Sequence, residues 1–343
     1  MASPLPQTYR ACLLEQPTGP WQLKELKLEP PKKGEVLVKV QACGFCITDI
    51  GVWAGALGPL TNWPIVPGHE IVGDVVQLGP DVDNFDIDDR VGGLYHGGQD
   101  GTCKTCQQGF PQGCQQKVSN GVSKHGGFAE YCILQTNAAV KIPKNVEPAR
   151  AAPFLCAGVT VFNSIRHQNI MPGETVAIQG IGGLGHLAIQ YARKMGYRVV
   201  AISSGDSKRE LALRLGSHEY IDASQKDPVE ALLELGGAKM VICTAPDAKT
   251  IGQYVAALQW QGKLLILAPV PDVSINTGML VLKSASVVGW NAGHGQDFLD
   301  AWNFAELHGI ECLVEEFPFE RIADAATHVM SGKANIRVVL KME

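Results

Sequence analysis

The stretch Thr175 to Gly196, TVAIQGIGGLGHLAIQYARKMG, constrains this chain more than any other. Thr175 to Gln179 is a short apolar run of strand character, Gly180 to Gly185 is a glycine-rich turn, and Leu184 to Met195 spaces its apolar residues as a helix does. Gly180, Gly182 and Gly185 stand as G-x-G-x-x-G, with Gly183 and Leu184 in the same turn. Such a turn is tight, its backbone approaches a pyrophosphate closely, and the helix beyond it points free N–H groups at the anion. A second apolar strand, Arg198 to Ile202, comes next, which is the context a dinucleotide-binding unit requires.

From there the pattern alternates. It predicts a helix at Ser207–Leu215, a strand at Tyr220 and Ile221, a helix at Pro228–Leu235 and a strand at Met240–Cys243. A helix at Ala248–Leu258 and a strand at Gly262–Leu267 complete it. Alternation of this kind implies an α/β doubly wound parallel sheet with ligand at the carboxyl ends of its strands. Residues from Tyr9 to about Val140 are instead a series of short β runs, an irregular β domain. Leu155–His167 reads as a helix leading into the glycine-rich unit. The tail carries a helix at Asp297–Leu307, a β run at Phe317 and a strand at Arg337–Lys341. The expected division is 1–155 for the β-rich domain, 156–289 for the nucleotide domain, and 290–343 returning to the first.

A chain of 343 residues fits two domains, and 45% apolar with 18% charged residues is ordinary for a soluble protein. A net charge of -5 argues against nucleic acid or anionic membrane as a partner. No run approaches the ~20 apolar residues of a membrane span, and the N-terminal residues lack a secretory pattern, so a cytoplasmic protein is expected. Its ten cysteines are then to be tested as metal ligands or as buried apolar side chains rather than as disulfides.

Cys46 stands in ACGFCITD, His69 in PGHEIVG and Cys156 in FLCAGVT. With these motifs, Gly68-His69-Glu70-x-x-Gly73, Cys46-x-Thr48-Asp49, Cys156-Ala157-Gly158-x-Thr160 and the glycine turn followed by Ala188-x-Gln190-x-Ala192, the chain resembles a zinc-dependent alcohol dehydrogenase of the medium-chain dehydrogenase/reductase superfamily. The likeness covers nearly its whole length. It implies a Rossmann domain beside a GroES-like β domain, and Cys46, His69 and Cys156 as ligands of a catalytic zinc. Two thiolates and an imidazole leave a Lewis acid with one open position. Cys43, in Cys43-x-x-Cys46, competes with Cys46 by spacing and is read as core or as a neighbour of the ligands. Asp49 is implied as the carboxylate behind His69 and Glu70 as a group beside the metal, with a solvated or salt-bridged Glu70 equally open.

Thr48 matches the family hydroxyl that starts a proton relay. Many relatives carry a histidine five residues after the zinc cysteine, where this chain has Gly51, so the relay should be shortened and a histidine-like ionisation absent. Ile47 also replaces a polar residue that approaches the pyrophosphate in relatives. Grip on that group is expected from the glycine turn and Arg337, with Thr160, Ala268 and Val270 as further cofactor contacts.

The family's second zinc takes four cysteines at C-x2-C-x2-C-x7-C. Here Cys103, Cys106 and Cys114 are in register and Asp100 holds the first position. A carboxylate with three thiolates has the same formal charge, so a structural zinc with Asp100 as a harder fourth ligand is expected; a three-cysteine site completed by water is the alternative.

Ser203 lies where NAD-selective units carry an acidic residue, with Ser204, Lys208 and Arg209 close by, a cradle suited to a 2′-phosphate. Asp206 could instead serve the ribose. NADP is therefore favoured over NAD. Trp53, Tyr95, His96 and Trp290, with His294, are expected around an apolar or aromatic alcohol, aldehyde or ketone. Two other readings are a zinc-free quinone or enoyl reductase of the same fold and a non-catalytic NADPH-binding protein. The family habit of joining Rossmann sheets edge to edge implies a dimer or tetramer.

Overall fold

The computed structural model describes residues 4–332 and 336–342. The chain divides into two compact units, one of residues up to Val159 with Gly293–Trp302 and Cys312 onward, the other of Thr160–Ala292 with Asn303–Glu311. The tail thus does not return to the first unit as one piece: 303–311, within the helix Gly295–His308 and just past it, cluster with the nucleotide unit. Tyr191 of that unit packs a tilted ring against Phe304, at 5.9 Å between centroids, which gives the segment an apolar anchor there.

Among the described residues, the first unit is built on a seven-stranded sheet whose central strand is Glu35–Phe45. This strand pairs antiparallel with Glu70–Leu78, Tyr131–Gln135 and Arg337–Lys341. Eleven residues of mostly apolar character make it long enough to hold three partners, and nearly all of it is buried. Two registers position the candidate site. Gly44 lies opposite Glu70, and Phe45 lies opposite Val338. They bring Cys46, His69, Glu70 and Arg337, each just beyond or at a strand end, to one corner of the sheet.

The core under this corner is aromatic. Phe45 meets Phe128 at 4.8 Å between ring centroids and Trp21 at 5.4 Å. Gly68, at φ +94°, sits where a Cβ would lie 2.6 Å from the Phe128 ring and 2.8 Å from its backbone nitrogen. Only glycine lets the chain turn there and deliver His69.

The second unit is a six-stranded parallel sheet in the order Glu219–Asp222, Arg198–Ser203, Thr175–Gln179, Ala238–Cys243, Leu258–Ile266, Ser286–Gly289. In sequence order this is 3-2-1-4-5-6, the doubly wound arrangement, and its order reverses at Thr175–Gln179. All five residues of that strand are buried, as a central parallel strand requires.

Several elements depart from the sequence reading. Ala248–Leu258 is not one helix: an α-turn at Ala248–Ile251 tightens into a 3₁₀ stretch at Gly252–Ala257, and Leu258 already begins a strand. The change falls at Gly252, where the Ser274 carbonyl comes so close that a Cβ would lie 1.8 Å from its oxygen. Helices at Ile47–Trp53, Thr277–Lys283 and Ile322–Met330 and the strand Ser286–Gly289 are not legible in the periodicity. The segment ITDIGVW is rich in β-branched residues, which favour strands. It is helical because the Asp49 carboxylate turns back to accept the Cys46 backbone N–H at 2.8 Å, closing the helix start.

Candidate active site, metal centres and nucleotide turn

Two clusters among the described residues bring together side chains able to hold a metal: Cys46, His69, Glu70 and Cys156, and Asp100, Cys103, Cys106 and Cys114. In each, one donor atom per residue lies within 4.8 Å of all the others.

In the first cluster Cys46 leaves the central strand and begins the helix Ile47–Trp53, while His69 and Glu70 open the neighbouring strand. Cys156 follows the buried 3₁₀ stretch Ala152–Leu155 and precedes the helix Ala157–Arg166. The sulfurs of Cys46 and Cys156 are 4.0 Å apart. A tetrahedral shell of ~2.3 Å zinc–sulfur bonds sets sulfurs about 3.8 Å apart, so the spacing fits zinc. His69 is fully buried, and its Nε2 has no hydrogen-bond partner. A buried nitrogen left without a partner costs about 1–3 kcal/mol, a cost that a ligated cation removes. The donor chemistry and this orphaned nitrogen together fit a zinc ion.

Asp49 organises the cluster from behind. Its Oδ1 lies 3.1 Å from His69 Nδ1 and accepts the Gly68 N–H at 3.0 Å, while its Oδ2 takes the Cys46 N–H. One carboxylate therefore sets the tautomer of His69 and the positions of two ligand-bearing turns. Although burial works against charge on His69, Asp49 raises its pKa well above the ordinary value. The Cys156 hydrogen bond, then His69, draws the Cys46 thiol well below its usual range, while the same contact and burial push Cys156 up.

Glu70 is fully buried, and its Oε1 is paired with Arg337 Nη2. Burial pushes its carboxyl up to about 7, with Arg337 opposing the rise. Its Oε2 has no partner. Gly44 makes the space, since a Cβ there would lie 1.8 Å from that oxygen. Of the alternatives left open for Glu70, solvated or salt-bridged, the structure shows the salt-bridged form, closed to solvent. Arg337, expected at the pyrophosphate, gives its Nη2 to Glu70 while its Nε has no partner; the sequence reading missed this ion pair because the two residues are 267 positions apart. The Thr48 hydroxyl lies 3.6 Å from Cys46 Sγ. Cys43 is fully buried and burial drives its thiol upward, as a core side chain.

The expected pocket residues are dispersed. Tyr95 packs edge-on against His69, centroids 5.5 Å apart. Trp53 donates its indole N–H to the Gly19 carbonyl at 2.7 Å and stacks on Trp21. His96 lines a different cavity, with His294. Trp290 stacks on His167, centroids 4.6 Å apart.

The second cluster spans a short helix, Lys104–Gln107, and the turn after it. Cys103 lies 3.5 Å from Cys106 and 3.7 Å from Cys114, sulfur to sulfur, again the spacing of a tetrahedral shell. Asp100 Oδ1 accepts the N–H groups of Cys103 and Thr102 at 2.9 and 2.8 Å, which hold its carboxyl well below the usual range. The cluster therefore presents an ionised carboxylate beside three sulfurs, a set that fits zinc.

In the nucleotide unit Gly180 has φ +89°, and the Gly180 carbonyl lies where a Cβ on Gly185 would be only 1.9 Å away. A Cβ on Gly182 would meet nothing within 4 Å, so the side of the turn facing the ligand is open. Lys208 donates to the Ile181 carbonyl at 2.8 Å, which places its ammonium on the glycine turn. Ser203 ends the second strand. Asp206 pairs with Arg209 at 2.5 Å, and the Arg209 guanidinium lies 4.6 Å from the Tyr220 ring centre. Asp206 thus serves Arg209. Thr160 is buried near the start of its helix; the Ala268 N–H donates to the Cys243 carbonyl at 3.2 Å, and Val270 packs on the core of the unit.

A doubly wound nucleotide unit and a β-rich unit with a Cys/His/Cys centre define a zinc-type dehydrogenase. Residues 32–144 match the alcohol dehydrogenase GroES-like domain and residues 183–306 the zinc-binding dehydrogenase domain. The chain is 49% identical to alcohol dehydrogenase patD of Penicillium expansum over 342 residues, covering 100% of both proteins. It is 37% identical to an alcohol dehydrogenase of Geobacillus stearothermophilus, covering 94% of this chain and 96% of that protein. Among solved structures, a cinnamyl alcohol dehydrogenase of Sorghum bicolor superposes with a TM-score of 0.88 at 26% identity, covering 97% of each chain. The chain belongs to the zinc-type alcohol dehydrogenases of the medium-chain dehydrogenase/reductase superfamily.

Proposed function

We propose that this enzyme moves a hydride between NADP(H) and a small or medium apolar or aromatic alcohol, or the matching aldehyde or ketone. The observation that carries the reading is the convergence of Cys46, Cys156 and the unpartnered Nε2 of His69. When bound, zinc supplies Lewis acidity toward the substrate oxygen, and the nicotinamide supplies the hydride or its acceptor. Cys46, His69 and Cys156 hold the metal. Asp49 fixes His69, and the Glu70–Arg337 pair puts a buried carboxylate beside the ligands. The Thr48 hydroxyl, next to Cys46, is placed to take the proton of the alcohol or return it. Gly51 offers no imidazole to carry that proton further; a bound cofactor would supply ribose hydroxyls in its place.

Ser203 and Ser204 offer hydroxyls and Lys208 a cation at the turn, which supports NADP over NAD. Asp206 is paired with Arg209 in an exposed ion pair, which sets a cation beside that carboxylate. The Tyr95 ring against His69 supports an aromatic-walled pocket, in keeping with the name of the sorghum relative. The edge strand Ser286–Gly289 of the nucleotide sheet, with the exposed Val281 and Leu282 just before it, supports assembly of two copies through this edge; a tetramer rests on the family resemblance alone.

The test is oxidation of NADPH and of NADH in parallel with an aromatic aldehyde, before and after a strong zinc chelator. Turnover with NADPH that the chelator abolishes supports the reading. Chelator-insensitive turnover, or binding of cofactor with no turnover of any carbonyl, overturns it.

A further inference from the structure

Past Ser203, at the end of the strand Arg198–Ser203, the chain runs through a loop, 204–208, before the short helix Arg209–Arg214. The loop carries polar groups and a glycine, Gly205, at φ +76°. A Cβ there would meet nothing within 4 Å, so glycine is favoured by the backbone angle rather than by crowding. Left to itself such a segment samples many conformations, and its polar groups would not stand in one place.

The loop is held from the neighbouring strand, Glu219–Asp222, which runs parallel to Arg198–Ser203 with Asp222 opposite Ser203. Asp222 Oδ1 accepts the Gly205 N–H at 2.7 Å, and the Tyr220 hydroxyl donates to the Gly205 carbonyl at 2.5 Å. Both polar groups of the Gly205 backbone are thus taken by side chains two positions apart, which leave their strand on the same face. The carboxylate is fixed in turn, because the same Oδ1 accepts the hydroxyl and the N–H of Ser224 at 2.7 and 2.8 Å. These contacts lower the Asp222 pKa and keep it ionised.

Tyr220 also joins the loop to a cation. The Arg209 guanidinium lies 4.6 Å from its ring centre, and Arg209 Nε donates to Asp206 Oδ1 at 2.5 Å. That bond uses Nε and not the Nη groups, and the Arg209 side chain stays 43% exposed, open to a ligand. Burial raises the Tyr220 pKa while a contact with the Ser203 side chain opposes the rise, so the same tyrosine touches Ser203 as well.

We propose that Tyr220 and Asp222 are positioning residues for cofactor choice: through Gly205 and Arg209 they hold the loop so that the Ser203 and Ser204 hydroxyls and the Arg209 guanidinium form one preset receptor for a phosphomonoester, the 2′-phosphate of NADP. The proposal rests on the NADP reading above. Hydroxyls and a guanidinium suit a phosphate, and a receptor ordered before binding loses less entropy when it binds.

The experiment is calorimetric titration of the purified full-length enzyme with NADPH, NADH and adenosine 2′,5′-bisphosphate, for the native chain, Asp222→Ala, Asp222→Asn, Tyr220→Leu and Tyr220→Phe. Asp222→Ala frees the Gly205 N–H, and Tyr220→Leu removes both the hydroxyl and the ring under Arg209. Each should raise the Kd of NADPH and of the bisphosphate about tenfold, the loss of roughly one charge-assisted hydrogen bond, with the Kd of NADH nearly unmoved. Asp222→Asn, whose side-chain oxygen still accepts the Gly205 N–H, should keep most of the native affinity. Tyr220→Phe, which loses only the hydroxyl, should show a smaller rise with the same two ligands. Should either larger change prevent folding, Tyr220→Phe carries the test, and no rise in its Kd for NADPH would overturn the proposal. Equal losses with NADPH and NADH would also overturn it, as a general weakening of the unit. Tighter binding of NADH than NADPH by the native chain would overturn the NADP reading and this proposal with it. A native preference for NADPH that survives Asp222→Ala and Tyr220→Leu would overturn the positioning role alone.

Discussion

Arg337 reaches Glu70 across the corner of the sheet where Val338 lies opposite Phe45 and Glu70 opposite Gly44, and the two side chains form an ion pair closed to solvent. A buried charge that loses its partner is left uncompensated, at a cost of about 3–5 kcal/mol. Arg337→Met should therefore destabilise the β-rich unit by that order. Glu70→Gln in the same chain should recover much of the loss, because no charge then remains to be paired. Urea unfolding of the native chain, both single variants and the double variant gives the coupling directly. Additive single effects would show that the two groups do not act as a pair.

Asp49 holds His69 and both turns that carry Cys46 and His69. Asp49→Asn keeps the shape but loses the negative charge behind the imidazole. Zinc affinity at the Cys46–His69–Cys156 centre should fall about 10–100-fold, measured by competition with a chromogenic chelator. Unchanged affinity would mean that His69 is oriented without this carboxylate.

The carboxylate of Asp100 is held by two backbone N–H groups beside the three sulfurs. Asp100→Ala should release the second zinc to a chelator much faster than the native chain does, and Asp100→Cys should retain it longest. The order of the three release rates is the measurement. Equal rates for Asp100→Ala and the native chain would remove the carboxylate from the metal shell and favour water as the fourth ligand.

Ser203 ends the second strand of the nucleotide sheet without a carboxylate. Ser203→Asp would place a negative charge where a 2′-phosphate is expected, and the ratio of kcat/KM for NADPH over NADH should drop at least about tenfold, or ~1.4 kcal/mol. Lys208→Ala should move the ratio the same way. No change in either variant would put the phosphate contact elsewhere.

Gly51 lies inside the helix Ile47–Trp53, and a Cβ there would meet nothing within 4 Å. Gly51→His is therefore accommodated. The pH profile of alcohol oxidation by the native enzyme should lack an ionisation of about 6.5, and the variant should gain one. A histidine-like step already present in the native profile would show that protons leave by another imidazole.

The glycine turn and the strands at Thr175–Gln179 and Arg198–Ser203 are legible from short-range pattern, because glycine spacing and apolar runs act on neighbouring residues. The candidate ligands Cys46, His69 and Cys156 are legible through local motifs that carry the family resemblance, each complete within a few positions. Other features are not. Helix Ile47–Trp53 goes against its β-branched composition and is set by one carboxylate contact. The Glu70–Arg337 pair and the anchoring of Trp53 on Gly19 and Trp21 join residues far apart in the chain. Local sequence determined the elements of the glycine-turn unit and the chemistry each candidate ligand could offer. Which side chains meet, and which buried nitrogens are left without partners, was decided by strand register and burial, which exist only once distant segments pack together.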